Sequence, residues 1–166
     1  MRRERGVLTM SAMNSLALRT TILWIHAIGG VAWTGASACF VTVASVTGTE
    51  EEEGRAMIRR IAPVIDRVGL AAFLFILLSG IVNLYIAGRM RSFLFSDTFI
   101  EVLAAKIGIY LAMFAILTAS FRAEAKLQSP DATASTRAIS RLLLLNVAVM
   151  LLGATALLLG LWLLGA

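Results

Sequence analysis

Charge is absent from four long stretches of this chain and crowded into the gaps between them. The uncharged or nearly uncharged runs are 20–47, 68–88, 102–121, with Lys106 as its one charge, and 142–166. A helix needs about 20 residues to cross roughly 30 Å of hydrocarbon. Each run is long enough, and the pattern predicts spans over 20–47, 64–88, 98–121 and 140–165. The expected fold is an all-α integral membrane protein, one domain over 1–166, built as a four-transmembrane-helix antiparallel bundle.

The gaps predict smaller features. Thr49-Glu-Glu-Glu52 fits a capping box, and its acids suit the positive end of a helix. Met57, Ile61 and Ile65 then recur every four residues while Arg55, Arg59 and Arg60 point elsewhere. That pattern predicts a short interfacial helix between spans one and two, bent into span two at Pro63. The acidic run reads as a solvated helix start rather than a cation site. The segment Arg89 to Asp97 is short enough to force spans two and three into a hairpin, and Ser129-Pro130-Asp131 marks an exposed turn. Span four is leucine-rich, with Ala156-x-x-x-Gly160 permitting close helix approach.

Composition agrees with the pattern: 59% of residues are hydrophobic and 15% charged. A net charge of +5 could indicate nucleic acid, but the basic residues flank span ends and do not alternate with aromatics as on a base-stacking surface. Lipid headgroups are their expected partner, and no nucleic acid is expected. Arg2, Arg3, Arg5, Arg19, Arg89 and Arg91 lie on the side of the termini. Arg55, Arg59, Arg60, Arg67, Arg122, Lys126, Arg137 and Arg141 lie on the other, which predicts termini outside and a multi-pass protein of the cell (inner) membrane. Met-Arg-Arg-Glu-Arg resembles the basic start of a signal peptide, but the apolar run after it exceeds a 7–15-residue signal core, so it reads as a retained span. The single cysteine, Cys39, can form no intrachain disulfide. It lies about 20 Å along the helix from the single histidine, His26, so the two cannot share a metal. The sequence holds no glycine-rich phosphate loop, Cys-x-x-Cys, His-Glu-x-x-His or nucleophile elbow.

His26 is therefore the residue to explain, because a polar ring in a span is costly and faces protein or a cavity. Counted from the side of the termini at about 1.5 Å per residue, His26 lies about 9 Å deep, Lys106 about 12 Å and Asn83 about 7 Å. Arg19, His26, Trp33 and Phe40 recur by seven on one stripe of span one, and Lys106, Tyr110 and Met113 share a stripe of span three. With these stripes inward, a cationic rim overlies an imidazole and an amine, with aromatics as a floor. A flat anionic macrocycle such as haem could fit there, with iron on His26 and propionates near Arg19, Arg89 or Arg91. Gly29 and Gly30 would clear space for it, or equally for a neighbouring helix. Other readings remain open at each position. His26 could hydrogen-bond a carbonyl or Asn83, Lys106 could reach Asp97 or Glu101 at the interface, Trp33 and Tyr110 could simply pack, and Asn83 could link helices.

His26-x6-Trp33-x-Gly35 in a first span resembles the CopD-like membrane proteins, the membrane domain of cytochrome-linked urate-oxidising enzymes, and the HemJ-type protoporphyrinogen oxidases. The similarity is strongest from Leu23 to Phe40. It continues through Ser79-Gly-Ile-Val-Asn83-Leu-Tyr85 and Ala105-Lys106-Ile-Gly. The resemblance implies b-type haem held by His26, with Lys106 matching the third-helix lysine of the HemJ type. Span four departs from that type, reading Arg141-Leu-Leu-Leu-Leu-Asn146 without the Asn-Glu and following proline, so protoporphyrinogen oxidation is not implied.

The expected function is thus a membrane protein that binds haem b through His26, Lys106, Trp33, Asn83, Arg19 and Tyr110, and passes electrons to a quinone or a redox partner protein. If it is an enzyme, it is a haem-dependent membrane oxidoreductase, with catalytic residues unassigned. Copper handling of the CopD type is the alternative, with His26 on an ion path and Met90 and Met113 as the methionines in reach. A non-catalytic scaffold or assembly subunit is the second alternative. With one histidine per chain, a second axial ligand must be another residue type or come from a homo-oligomeric partner.

Overall fold

A computed structural model describes residues 2–47, 51–90, 92–127 and 131–165. They form four helices and, among the described residues, no strand: α1 (Arg2–Thr47), α2 (Glu52–Met90), α3 (Asp97–Leu127) and α4 (Ala132–Gly165). Each helix is long and apolar enough to cross a membrane, over Ala17–Thr47, Glu52–Met90, Asp97–Leu127 and Thr133–Trp162. The chain is a multi-pass membrane protein with an all-α four-helix fold. Its helices form a ring in chain order; α2 also touches α4 across the middle, whereas the described parts of α1 and α3 make no close backbone approach.

The surface shows why the hydrophobic runs are so uniform. Leu144, Leu151 and Leu158 on α4, spaced by seven, are each about two-thirds exposed, and Phe75, Leu78 and Ile81 do the same on α2. Lipid tails are as apolar as leucine, so such side chains gain little by turning inward. Close backbone approach favours small residues there instead. Accordingly α2 buries Gly54, Ala62, Gly69, Ala72, Ser79 and Gly88. On α4, Gly153 receives Thr34 of α1, and a Cβ there would collide with the threonine hydroxyl. Gly29 faces Ala72 and Ile76 of α2, where a Cβ would lie 3.0 Å from Ile76 Cγ1. This glycine serves helix packing.

Two apolar clusters stack along the bundle. One holds Trp33, Ala72, Met113, Leu117 and Val149. The other holds Phe40, Ala44, Ile58, Ala62, Ile65, Ala123, Leu127, Ala138, Ile139 and Leu142, towards the first and third loops.

The second cluster corrects the expected interfacial helix. Residues from Glu52 onward are helical as expected, but they continue without interruption through Pro63 into span two. The buried stripe is Ile58, Ala62 and Ile65, while Met57 is 43% exposed. Packed on Phe40, Ala44, Leu127 and Ile139, this segment extends the bundle instead of lying on the headgroups. The cost of Pro63, one lost backbone hydrogen bond and a ring crowding the preceding turn, is met by tertiary packing on both sides of it.

Thr49, Glu50, Arg91, Ser129 and Pro130 lie outside the described residues, and with them the expected capping box. Glu52, at the start of α2, accepts from Arg55 at 2.9 Å and also pairs with Arg59. The hairpin between α2 and α3 closes through two non-glycine residues at positive φ, Ser92 at 52° and Phe93 at 59°. Phe93 N donates to Gly88 O at 2.7 Å. Its ring lies over Gly88 so closely that a Cβ there would come within 2.5 Å. Ser96 Oγ accepts from Phe99 N at 3.3 Å, and Asp131 Oδ1 from Thr133 N at 2.9 Å, which caps α3 and α4.

Candidate functional site

His26 turns towards α2. Its Nδ1 lies 3.0 Å from Ser79 Oγ. Ser79 Oγ in turn donates to Phe75 O at 2.5 Å, with Ile76 O at 3.3 Å as a second acceptor. With the single Ser79 hydroxyl hydrogen placed on Phe75 O, the imidazole Nδ1–H is the donor to Ser79. The assignment follows from the hydrogen-bond network. In that tautomer Nε2 carries the ring's lone pair, and the Ile76 carbonyl also lies within reach of the ring. The ring packs on Gly80, where a Cβ would lie 3.4 Å from His26 Cε1 and 3.7 Å from Nδ1.

Lys106 reaches the same layer from α3, close enough for its charge to act on His26. Its Nζ rests against α4, 3.3 Å from where a Cβ on Gly160 would be. Gly160 therefore admits the amine as well as permitting helix approach. Lys106 is half-buried, and no ion pair joins it to Asp97 or Glu101. Above this layer, half-buried Arg19 places Nη1 3.9 Å from Met90 Sδ. Arg89 is turned away, its guanidinium 6.0 Å from the ring centre of Tyr85, and Arg91 is outside the described residues.

Asn83 lies one turn beyond Ser79 on α2, and its Nδ2 is buried without a hydrogen-bond partner. The alternative bond between His26 and Asn83 is not made. Depth counting carries no information on helix rotation. Ser79 takes the bond because it lies on the face that α2 turns to α1.

Trp33 and Tyr110 form the floor as packing groups. Trp33 is 3% exposed, with its indole against Gly69 and edge-on to Phe73 at 6.2 Å. Phe73 stacks on Tyr110 at 4.5 Å and on Phe114 at 4.8 Å. The Tyr110 hydroxyl donates to Phe73 O and ties α3 to α2. Met113 belongs to this floor, and Met90 to the rim with Arg19, so the two methionines do not converge on His26. Among the described residues no group of three or more His, Cys, Asp and Glu side chains gathers to hold a metal ion.

Ser79, Gly80 and Phe73 are the participants that the pattern of polar residues did not single out. Serine four residues before Asn83 was the available signal, since the two share a helix face. Together fold and site define a four-helix membrane bundle with a histidine and an unpaired amine in one layer above an aromatic floor. No family model, curated protein or solved structure compared with the chain matches it.

Proposed function

We propose that this protein is a b-type haem-binding redox protein of the cell membrane, with His26 Nε2 as an axial ligand. The observation that carries the reading is the charge of the histidine layer. It offers an imidazole, an unpaired amine from Lys106 and an orphan amide donor from Asn83, and no carboxylate is paired with Lys106. An intramembrane cation without a counter-charge is costly. A ligand that brings a metal and carboxylates relieves both deficits.

The chain's own groups fit such a ligand. A metal-bound imidazole usually donates its other N–H to an oxygen, which fixes tautomer and ring orientation. Ser79 accepts that hydrogen here and is itself fixed to the backbone of Phe75. Arg19 supplies a second cation at the rim, suited to a propionate. Haem would supply a one-electron couple, and the floor of Trp33, Phe73 and Tyr110 would keep water from reaching it through the bundle. Electron exchange with a membrane quinone or a partner protein is the accompanying role.

The test is an absorption spectrum of the purified, haem-replete protein, oxidised and then reduced. A Soret band with reduced α and β bands is expected. Their absence overturns the reading. Full haem content in His26→Ala overturns the ligand assignment while leaving haem binding itself intact.

A further inference from the structure

Of the other buried polar side chains, Ser135 lies at the start of α4, and the remaining four lie between the two apolar clusters. Trp33 and Phe40 belong to different apolar clusters, and Ser37, 1% exposed, lies between them on α1. The same holds on the other helices. Asp66, 5% exposed, lies between Ile65 of one cluster and Ala72 of the other. Ser120 lies between Leu117 and Ala123, and Asn146 between Leu142 and Val149. All four helices thus place a buried polar residue at one level.

Two atoms of this layer lack hydrogen-bond partners, Ser37 Oγ and Asp66 Oδ2. The Asp66 carboxyl also lies within hydrogen-bonding reach of Glu124, which is half-buried on α3. The buried polar residues between the two clusters on the remaining helices do not titrate: Ser37 on α1, and Asn146 on α4, whose Nδ2 is spent on Leu142 O at 2.9 Å. Arg67, Arg122 and Arg141, near in sequence, are exposed.

We propose that Asp66 and Glu124 form a proton-binding site, in which one proton is held between the two carboxyls. Two carboxylates in contact repel, and a buried one without a cation is costly. A shared proton removes one charge and converts the contact into a short, charge-assisted O–H···O⁻ hydrogen bond. The proton is taken up from water and returned to it as such, so no other reactant is involved. Its access is from the side of the first and third loops. Towards His26, about 20 Å away along α2, the path is closed by Trp33, Ala72, Met113, Leu117 and Val149. The proposal is independent of the haem reading.

Infrared spectroscopy of the full chain in lipid nanodiscs at neutral pH tests it. The expected result is a protonated-carboxyl C=O band, shifted down in D2O and lost in Asp66→Asn. Glu124→Gln is expected to remove or shift the band. No such band in the wild type, or one unmoved by both substitutions, overturns the site. Dicyclohexylcarbodiimide, an apolar reagent for protonated carboxyls, gives a check that needs no variant. An adduct mapped to Asp66 or Glu124 at neutral pH, lost at high pH, is expected, and the absence of any adduct there refutes the proposal. Sodium-dependent thermal stabilisation without the C=O band would identify a cation site instead and overturn the proposal too.

Discussion

The two ends of this bundle bury opposite charges. Near the termini the layer holds an imidazole, an amine and an amide donor; near the first and third loops it holds two carboxyls among serines and an asparagine. Between them lies an apolar and aromatic block that neither polar group crosses. The first layer has donors but no anion, which is the ground for proposing an anionic, metal-bearing ligand there. The second has acceptors and no cation, so a single proton resolves it. On the two proposals, one bundle architecture would carry two unlike chemistries, distinguished by which charge the helices leave uncompensated.

The sharpest way to break this contrast is to exchange the variants. His26→Ala is expected to reduce haem content at least about tenfold, because it removes the proposed axial ligand outright. Asp66→Asn is expected to leave haem content at the wild-type ratio, measured by pyridine haemochrome against protein. Haem loss in Asp66→Asn with an intact circular dichroism spectrum would show the two ends to be one site.

The next effect is on stability. Phe40 is 2% exposed and sits in the cluster joining α1 to the ends of the other helices. Phe40→Ala is expected to cost about 3 kcal/mol through the cavity it leaves. Leu151→Ala, with Leu151 66% exposed on the lipid side, is expected to cost under about 1 kcal/mol, because lipid fills the space. Denaturation in mixed micelles compares them; equal losses would mean that Leu151 packs on protein.

The four spans were legible because charge is confined to the gaps, and a bilayer makes that pattern nearly unambiguous. The layer of His26 and Lys106 was legible from depth alone. What depth does not carry is rotation: Ser79 rather than Asn83 meets His26, and Ile58 rather than Met57 faces inward. Both depend on which face the neighbouring helix covers. Asp66 was invisible for a different reason. Two residues short of an apolar run, it reads as a charged flank of the second span, and only the extension of the bundle past Pro63 buries it. Trp33 and Tyr110 looked equally suited to a ligand or to packing. Tertiary contacts give them to packing.

Ser79→Ala probes the first layer at intermediate strength. It deletes the oxygen that accepts from His26 Nδ1 without touching the proposed ligating nitrogen. Outer-shell losses of this kind typically weaken metal binding by about 10- to 100-fold, so titration with haem should show that weakening while the ligand signature stays. An unchanged affinity would mean that the imidazole orientation is set by its packing on Gly80 instead.

The smallest expected effect separates those two causes. In Gly80→Ala the new methyl carbon lies 3.4 Å from His26 Cε1, tight enough to displace the ring by a few tenths of an ångström. In Gly108→Ala nothing lies within 4 Å of it. Both substitutions favour the helix by up to about 1 kcal/mol, so backbone propensity cancels between them. What remains is contact with the imidazole. Gly80→Ala should therefore shift the Soret maximum and the midpoint potential at unchanged haem stoichiometry, and Gly108→Ala should shift neither. Identical spectra for both would place the haem ligand away from the face that α2 presents to His26, and the charge contrast between the two ends would lose its metal-binding half.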